Sequence, residues 1–487
     1  MSTSTEPAPA QAVTETGLRA GVLGLFDSIV MAVAGSAPAY TIAVSTTLLV
    51  GAVGLAGPAA LLYCGIPMLG IAWAFSYLNR LETNAGASYA WVGRVLHPGL
   101  GFIAGWALVV SATIFMVAGS LPAGQFTVGL FKSSAESNVG LVTLVGSLWF
   151  LVMVALVVLG VRVTARAQWI MSGVEVAILV LFAILALVHA ASHHVTSFSW
   201  SWFGFGHFNG LAGFAAGGLV AAFYYWGWDV SSNLNEEMAD GKKTAGIGGI
   251  VGVFIVFALY EIFTIAVNLV LPAKTIAANP GGEVLGALGQ AVWSGLGGKL
   301  LVVAVMLSTI ATLETTLIQV TRTLFAMSRE RTLPKVLSRI GKRGTPWVAT
   351  LVVAVVSLLM FIGSNYIGSL GNVLTDAIDA IGLQIAVYYG LAGLTVVVAF
   401  RKILFASVKN FLLIGLWPLV GALFMFWILG ESVSSNVSGD AEAVNWIGLG
   451  GLAIGLIPLA IYWAIGSPYF KQRPTLGSAL PESESVG

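Results

Sequence analysis

The stretch MAVAGSAPAYTIA, Met31 to Ala43, lies inside an apolar run, yet it carries Gly35, Ser36 and Pro38 where an unbroken membrane helix would have leucines. In hydrocarbon every backbone N–H and C=O must be paired. A helix interrupted at bilayer depth is therefore tolerated only when it is buried in protein or lines a water-filled cavity. Pro38 has no N–H and disfavours helical geometry at Ala37, so Ala34 to Pro38 reads as an interruption. Such a break frees amides at the positive end of one half-helix and carbonyls at the negative end of the other. Amides can hold a carboxylate, and carbonyls an ammonium.

The surrounding composition is that of a membrane protein. Of 487 residues, 57% are hydrophobic and only 9% are charged, against roughly a quarter charged in ordinary globular domains. The net charge of +1 gives no basic surplus for nucleic acid. The single cysteine, Cys64, excludes an internal disulfide and gives no support to a cysteine-based zinc site. No GxxxxGK[ST] phosphate loop occurs, so ATP is not expected to drive the protein.

A membrane crossing needs about 20 apolar residues. That length predicts about twelve spans, at 24–51, 57–79, 99–124, 139–160, 167–191, 209–236, 246–271, 299–326, 346–366, 370–400, 410–430 and 444–466. Short cytoplasmic loops accumulate Lys and Arg. With the amino terminus inside, only Lys132, Lys274 and Lys299 of the 22 basic residues fall outside, so both termini are expected in the cytoplasm of a multi-pass cell-membrane protein. The tails 1–20 and 472–487 are expected to be disordered. Between spans, Glu82–His97 on the inside and Gly281–Gly298 on the outside read as short interfacial helices.

A second interruption falls in the sixth span, where Phe223 to Trp228 surrounds Gly227 and ends at Asp229. Spans one and six are five apart. Transporters built from inverted five-helix repeats place a broken helix at the start of each repeat and bind substrate where the breaks meet.

Four motifs in order across more than half the chain resemble the amino acid-polyamine-organocation permeases. They are AGSAPAY in the first span; NAGASYAWVGRVLHPGLGFIAGW, Asn84 to Trp106; AAFYYWGWDVSSNLNEEMAD, Ala221 to Asp240; and TRTLFAMSRERTLPKVLSRIGKRGTPWVAT, Thr321 to Thr350. The resemblance implies an all-α, twelve-helix fold with helices 1 and 6 discontinuous. It implies a first five-helix repeat at 21–191, an inverted second repeat at 209–400, two additional helices at 410–466, and alternating access. By carry-over, Gly35, Ser36 and Ala37 meet the substrate carboxylate, helix 6 carbonyls near Phe223 receive the amine, and Phe223 is an aromatic lid. Pro38, Tyr40, Tyr224, Trp226 and Trp228 complete the expected substrate site. The chain departs from the family at Glu175, where some proton-coupled members carry lysine, and at Glu314, where many carry asparagine.

Seven acids fall within the spans: Asp27, Glu175, Asp229, Glu261, Glu314, Asp376 and Asp379. A charge near mid-bilayer costs roughly 2.5–3.5 kcal/mol even on lenient scales, so such groups face a cavity, pair, or become protonated. An acid that alternates between neutral and charged is a proton carrier. Asp229, directly after the second break, is the first candidate for a gate or proton site, followed by Glu175 and Glu314. At 1.5 Å per residue, Glu314 lies roughly 12 Å inward from Arg322. Asp27, Asp376 and Asp379, near span ends, read as interfacial. The hydroxyls of Ser308, Thr309, Thr312, Thr315 and Thr316 leave sodium coupling open beside their ordinary use as helix glue. Glu236 and Glu237, beside Lys242 and Lys243, read as an inner gate network or as a wet charged loop. His193, His194 and His207 read as solvated loop residues rather than a metal site.

The expectation is a secondary transporter, without a resident cofactor, for a small amine-bearing solute such as an amino acid or polyamine. Proton coupling is favoured, with sodium coupling or exchange as the alternative. A channel, a sensor and a membrane enzyme rank lower, the last because no nucleophile–base pair or metal cluster occurs at matched depth.

Overall fold

The computed structural model describes residues 17–277, 284–366, 370–435 and 442–472. The expected tails lie outside the described residues except for 17–20 and Gln472, as does the start of the outer segment at 281–283.

The protein is all-α. Its helices are α1 (Leu25–Ser36), α2 (Pro38–Val53), α3 (Gly57–Leu81), α4 (Ser88–Val95), α5 (Pro98–Phe131), α6 (Val139–Leu159), α7 (Val161–His193), α8 (Gly210–Tyr224), α9 (Val230–Asn233), α10 (Gly241–Val270), α11 (Ala273–Ala277), α12 (Val284–Val292), α13 (Gly297–Arg329), α14 (Trp347–Ser364), α15 (Leu370–Ala399), α16 (Val408–Asn410), α17 (Trp417–Ser435), α18 (Glu442–Ile454) and α19 (Leu456–Ala464). Local chemistry sets several starts. Asp27 in the first turn of α1 accepts the Gly24 N–H at 2.7 Å, and Asn138 caps α6 by accepting the Leu141 N–H at 3.0 Å. Pro38 and Pro98 stand at first helical positions, where a missing N–H costs nothing.

Ten helical stretches among the described residues are long and apolar enough to cross a membrane, which makes this a multi-pass membrane protein. Sequence length alone predicts about twelve. The difference arises partly at Leu25–Leu81, a single apolar stretch of 57 residues. At 1.5 Å per residue it would extend roughly 85 Å as one rod, several times a hydrocarbon core. It is interrupted at Ala37 and again at Gly54, whose φ is 56°. The other difference is Gly210–Tyr224, apolar but only 15 residues long.

The centre of the bundle is α5 against α13, flanked by α15, with α10 against α3 and α1. The faces of α6, α7, α14 and α19 turn large apolar side chains outward, as lipid-facing helices do.

Two expectations are corrected. Within residues 82–97 the expected short helix forms as α4, but instead of lying open it is buried except at Arg94 and packs against α5 and α15. Its apolar residues therefore serve the core. The helices also outrun the predicted spans, α5 reaching Phe131 and α7 starting at Val161, because backbone hydrogen bonding continues a coil past the first polar residues that end an apolar count.

Candidate functional site

The first break is narrower than its sequence suggests. Gly35 and Ser36 remain in α1 and Pro38 opens α2, so only Ala37 leaves the coil, at φ 47° and ψ 60°. A non-glycine residue pays roughly 1–2 kcal/mol for left-handed geometry, and the surroundings hold it there. Ala37 N–H bonds the Ala34 carbonyl at 3.2 Å. The Ser36 carbonyl accepts from the Tyr260 hydroxyl at 2.8 Å and from Thr41 Oγ1 at 3.0 Å. The Ser36 hydroxyl itself turns back to the Ala32 carbonyl at 3.1 Å.

The amides at the start of α2 already have partners. Ala39 N–H donates to Glu175 Oε1 at 2.9 Å and Tyr40 N–H to Ser308 Oγ at 3.1 Å. Glu175, from α7, is thus a buried carboxylate on the positive end of a half-helix. Its Oε2 has no partner among the described residues. Thr312 Oγ1 completes the tie between α13 and the first break by donating to the Ala34 carbonyl at 2.7 Å.

The second break runs from Tyr225 to Asp229, between α8 and α9, and pivots on Gly227 at φ 95°. The two breaks meet backbone to backbone. A Cβ on Gly35 would land on the Gly227 carbonyl oxygen, and a Cβ on Gly227 on the Gly35 carbonyl oxygen. Only glycine permits that approach, and at 227 only glycine adopts the angle freely.

The aromatic side chains divide into groups. Tyr40 meets Phe115 of α5 edge-on at 5.8 Å, Phe115 meets Trp226 at 5.4 Å, and Trp226 lies 6.4 Å from Phe223. This wall joins α2, α5 and α8, and all four members are buried. Tyr224 turns elsewhere, its hydroxyl 3.0 Å from Thr46 Oγ1 and its ring edge-on to Tyr260. Trp228 packs against Phe75 and Tyr389 instead.

Asp229 is fully buried. Its Oδ2 accepts from Gln319 Nε2 at 2.8 Å and its Oδ1 from the Tyr389 hydroxyl at 2.8 Å. Trp226 Nε1 donates to the Tyr388 hydroxyl at 2.6 Å, and the Tyr388 ring meets that of Tyr389 at 4.6 Å, which connects the aromatic wall to a partner of this acid. Glu314 lies in a different place, on the seam between α13 and α7, where Gln168 Nε2 donates to its Oε2 at 2.6 Å. Asp27 accepts from exposed Trp169 at 2.9 Å, as an interfacial group does.

The basic end of the bundle is held by ion pairs. Arg322 grips Glu237 with two bonds, 3.0 and 3.2 Å, both side chains buried. Arg329 grips Glu236 at 2.9 and 3.2 Å, and Arg94 joins Glu82 to Glu330. Sequence proximity pointed to Lys242 and Lys243 as partners of the two glutamates. The ion pairs that the structure forms are instead with α13, because α9, which leads into the two glutamates, lies against that helix. At this end burial pushes the Glu82 carboxyl up from its ordinary value, with the Arg94 guanidinium opposing. Leu23 pairs alongside Met238, and the N–H groups of Val22 and Leu23 both reach the Glu237 carbonyl, so the chain before α1 lies across the same end.

Sequence reading passed over Phe115, Gln319, Tyr388, Tyr389 and Gln168. Gln319 and Gln168 carried a usable signal, since a glutamine at bilayer depth needs a partner. Phe115 and the tyrosines did not stand out among so many aromatics.

Among known proteins, the chain matches the model of the family described as Amino acid permease over residues 23–472. It is 25% identical to the branched-chain amino acid permease BcaP of Lactococcus lactis, over 82% of this chain and 84% of that protein. It is 23% identical to the serine/threonine exchanger SteT of Bacillus subtilis, over 76% and 81%. With the amino-acid permease GAP5 of Candida albicans it shares 23% identity over 74% of this chain but only 59% of that protein, less than two thirds of its length.

Proposed function

Because the chain belongs to the amino acid permease family, transporters rather than enzymes, we propose that it imports an amino acid or related small amine by alternating access, coupled to protons. The observation that carries this reading is the meeting of two helix breaks at Gly35 and Gly227, with buried carboxylates at Glu175 and Asp229 beside them. The start of α2 beside Ser36 and Ala37 takes the substrate carboxylate, the Ala39 and Tyr40 amides exchanging Glu175 and Ser308 for the solute as it binds, with Pro38 leaving that end of α2 unobstructed. Carbonyls at the end of α8 near Phe223 take the amine. Tyr40, Phe115, Phe223 and Trp226 enclose the rest of the solute, while Tyr224 and Trp228 support the two breaks from outside.

In this reading α1–α2 and α3 are two crossings, and α8 with its continuation is a sixth. The chain then crosses twelve times, as inverted repeats at 21–191 and 209–400 followed by two helices at 410–466, with both termini cytoplasmic. The basic end is the inner gate, shut by the Arg322–Glu237 and Arg329–Glu236 pairs.

Proton coupling is favoured over sodium because a buried Glu175 carboxyl oxygen with no partner among the described residues sits at the break. The hydroxyls of Thr309, Thr312 and Thr315 donate to carbonyls, as hydroxyls used as helix glue do. Glu175 releases its proton when the site changes face, Asp229 senses the second break, and Glu314 acts from the α7–α13 seam. SteT is named an exchanger, and exchange is the second reading.

A thermal-unfolding screen of the purified protein against amino acids, amines and polyamines tests the substrate class. A ligand at a hundred times its Kd stabilises by about 2.7 kcal/mol. Stabilisation by amine-bearing solutes that disappears in Ser36→Leu is expected. A flat response across the panel would overturn the reading.

A further inference from the structure

A cavity of about 230 Å³ opens between α3 and α10, away from the two breaks. From α3 it is lined by Trp73, Tyr77 and Arg80, and from α10 by Ile247, Ile250 and Val251. Both sets repeat at helical spacing, so each forms one face of its helix. The lining is graded. Arg80 stands in the last turn of α3 at the basic end, and Trp73 is roughly 10 Å deeper at 1.5 Å per residue. On α10, exposed Lys243 precedes Ile247 by one turn on the same face. The slot is therefore cationic at its mouth and apolar along its depth, and Ile247 is exposed there.

The cation has an aromatic neighbour but no ion-pair partner among the described residues. The Arg80 guanidinium carbon lies 5.3 Å from the centre of the Tyr77 ring, an arrangement that fixes its direction. Its Nε is buried and has no hydrogen-bond partner among the described residues. The four ion pairs formed among those residues leave it out. The side chain as a whole is only half-buried, so the positive charge that Nε shares with the rest of the guanidinium is open to an anionic oxygen at the mouth. The floor is rigid, because Trp73 stacks on Trp417 at 5.2 Å.

We propose that this slot holds one anionic phospholipid of the leaflet at the basic end, its phosphate on Arg80 and Lys243 and an acyl chain along Trp73, Ile250 and Val251. A soluble anion would leave the apolar depth unfilled, and a zwitterionic lipid brings a positive ammonium group to two cations. Basic pockets between membrane helices suit anionic headgroups for these reasons. The inference does not depend on what the protein transports.

Native mass spectrometry of the full chain tests it, with phosphatidylglycerol and phosphatidylcholine of identical acyl chains offered together. One retained phosphatidylglycerol is expected, in preference to phosphatidylcholine. Arg80→Gln should weaken that binding about fivefold, the effect of one basic side chain at an anionic surface. Ile247→Trp, which blocks the slot without changing charge, should also expel the lipid, and Lys132→Gln should leave it bound. Unfolding in lipid-free detergent identifies any variant that is merely misfolded, and the other variant then decides. Equal retention of both lipids would overturn the proposal, as would phosphatidylglycerol held undiminished by folded Arg80→Gln or Ile247→Trp. Glycerol 3-phosphate binding as tightly as the lipid would overturn it too, since the slot would then be a small-anion site.

Discussion

Gly227→Ala perturbs the point where the two breaks touch. At φ 95° an L-residue is strained, at a cost of roughly 1–2 kcal/mol. The new methyl would also be driven onto the Gly35 carbonyl oxygen and toward its carbon at 2.6 Å. Backbone cannot swing aside as a flexible side chain can, and overpacking costs roughly 1–3 kcal/mol. Together the terms give a destabilisation of roughly 2–5 kcal/mol. Gly35→Ala meets the same overlap from a helical residue, so only the overpacking term applies. Gly173 of α7 has no atom within 4 Å of a built Cβ, and Gly173→Ala should be neutral or stabilising by up to about 1 kcal/mol. Denaturant titration in mixed micelles ranks the three, and flux in proteoliposomes should fall in the same order. Gly227→Ala as stable and as active as Gly173→Ala would refute the contact between the breaks.

Other perturbations separate folding from coupling. In Glu175→Gln the side-chain carbonyl can still accept the Ala39 N–H, so the protein should stay folded and keep counterflow while losing accumulation driven by a pH gradient; paired flux assays check this. Asp229→Asn keeps only one acceptor oxygen for Gln319 and Tyr389, so a loss of roughly 1–3 kcal/mol is expected, together with loss of pH-driven uptake; unchanged uptake would remove Asp229 from the mechanism. Arg322→Met leaves Glu237 buried without its cation and should cost roughly 3–5 kcal/mol. The double variant with Glu237→Leu should recover much of that in denaturant titration.

What the sequence made legible was local. Pro38 marks a helix start wherever it occurs in an apolar run, and Gly227 amid aromatics marks a bend, so both breaks were visible before any neighbour was known. Charge placement along the loops was legible for the same reason. What stayed hidden depended on which helices become neighbours. Glu236 and Glu237 reach across to Arg329 and Arg322, about ninety residues away, and adjacent lysines gave the wrong partners. Glu175 was visible as an acid at depth, but not as the group that caps α2. The burial of α4 was equally hidden, since an apolar face toward lipid headgroups and one toward α5 have the same composition. The seven-acid set also spreads over separate places: Asp229 by the second break, Glu175 by the first, and Glu314 on the α7–α13 seam.

The most direct measurement is uptake of labelled amino acids into proteoliposomes under an imposed pH gradient, acid outside, with sodium absent. The account expects accumulation above the external concentration, abolished by a protonophore and missing in Glu175→Gln. Accumulation that needs a sodium gradient and ignores pH, or none with any amine-bearing solute, would contradict it.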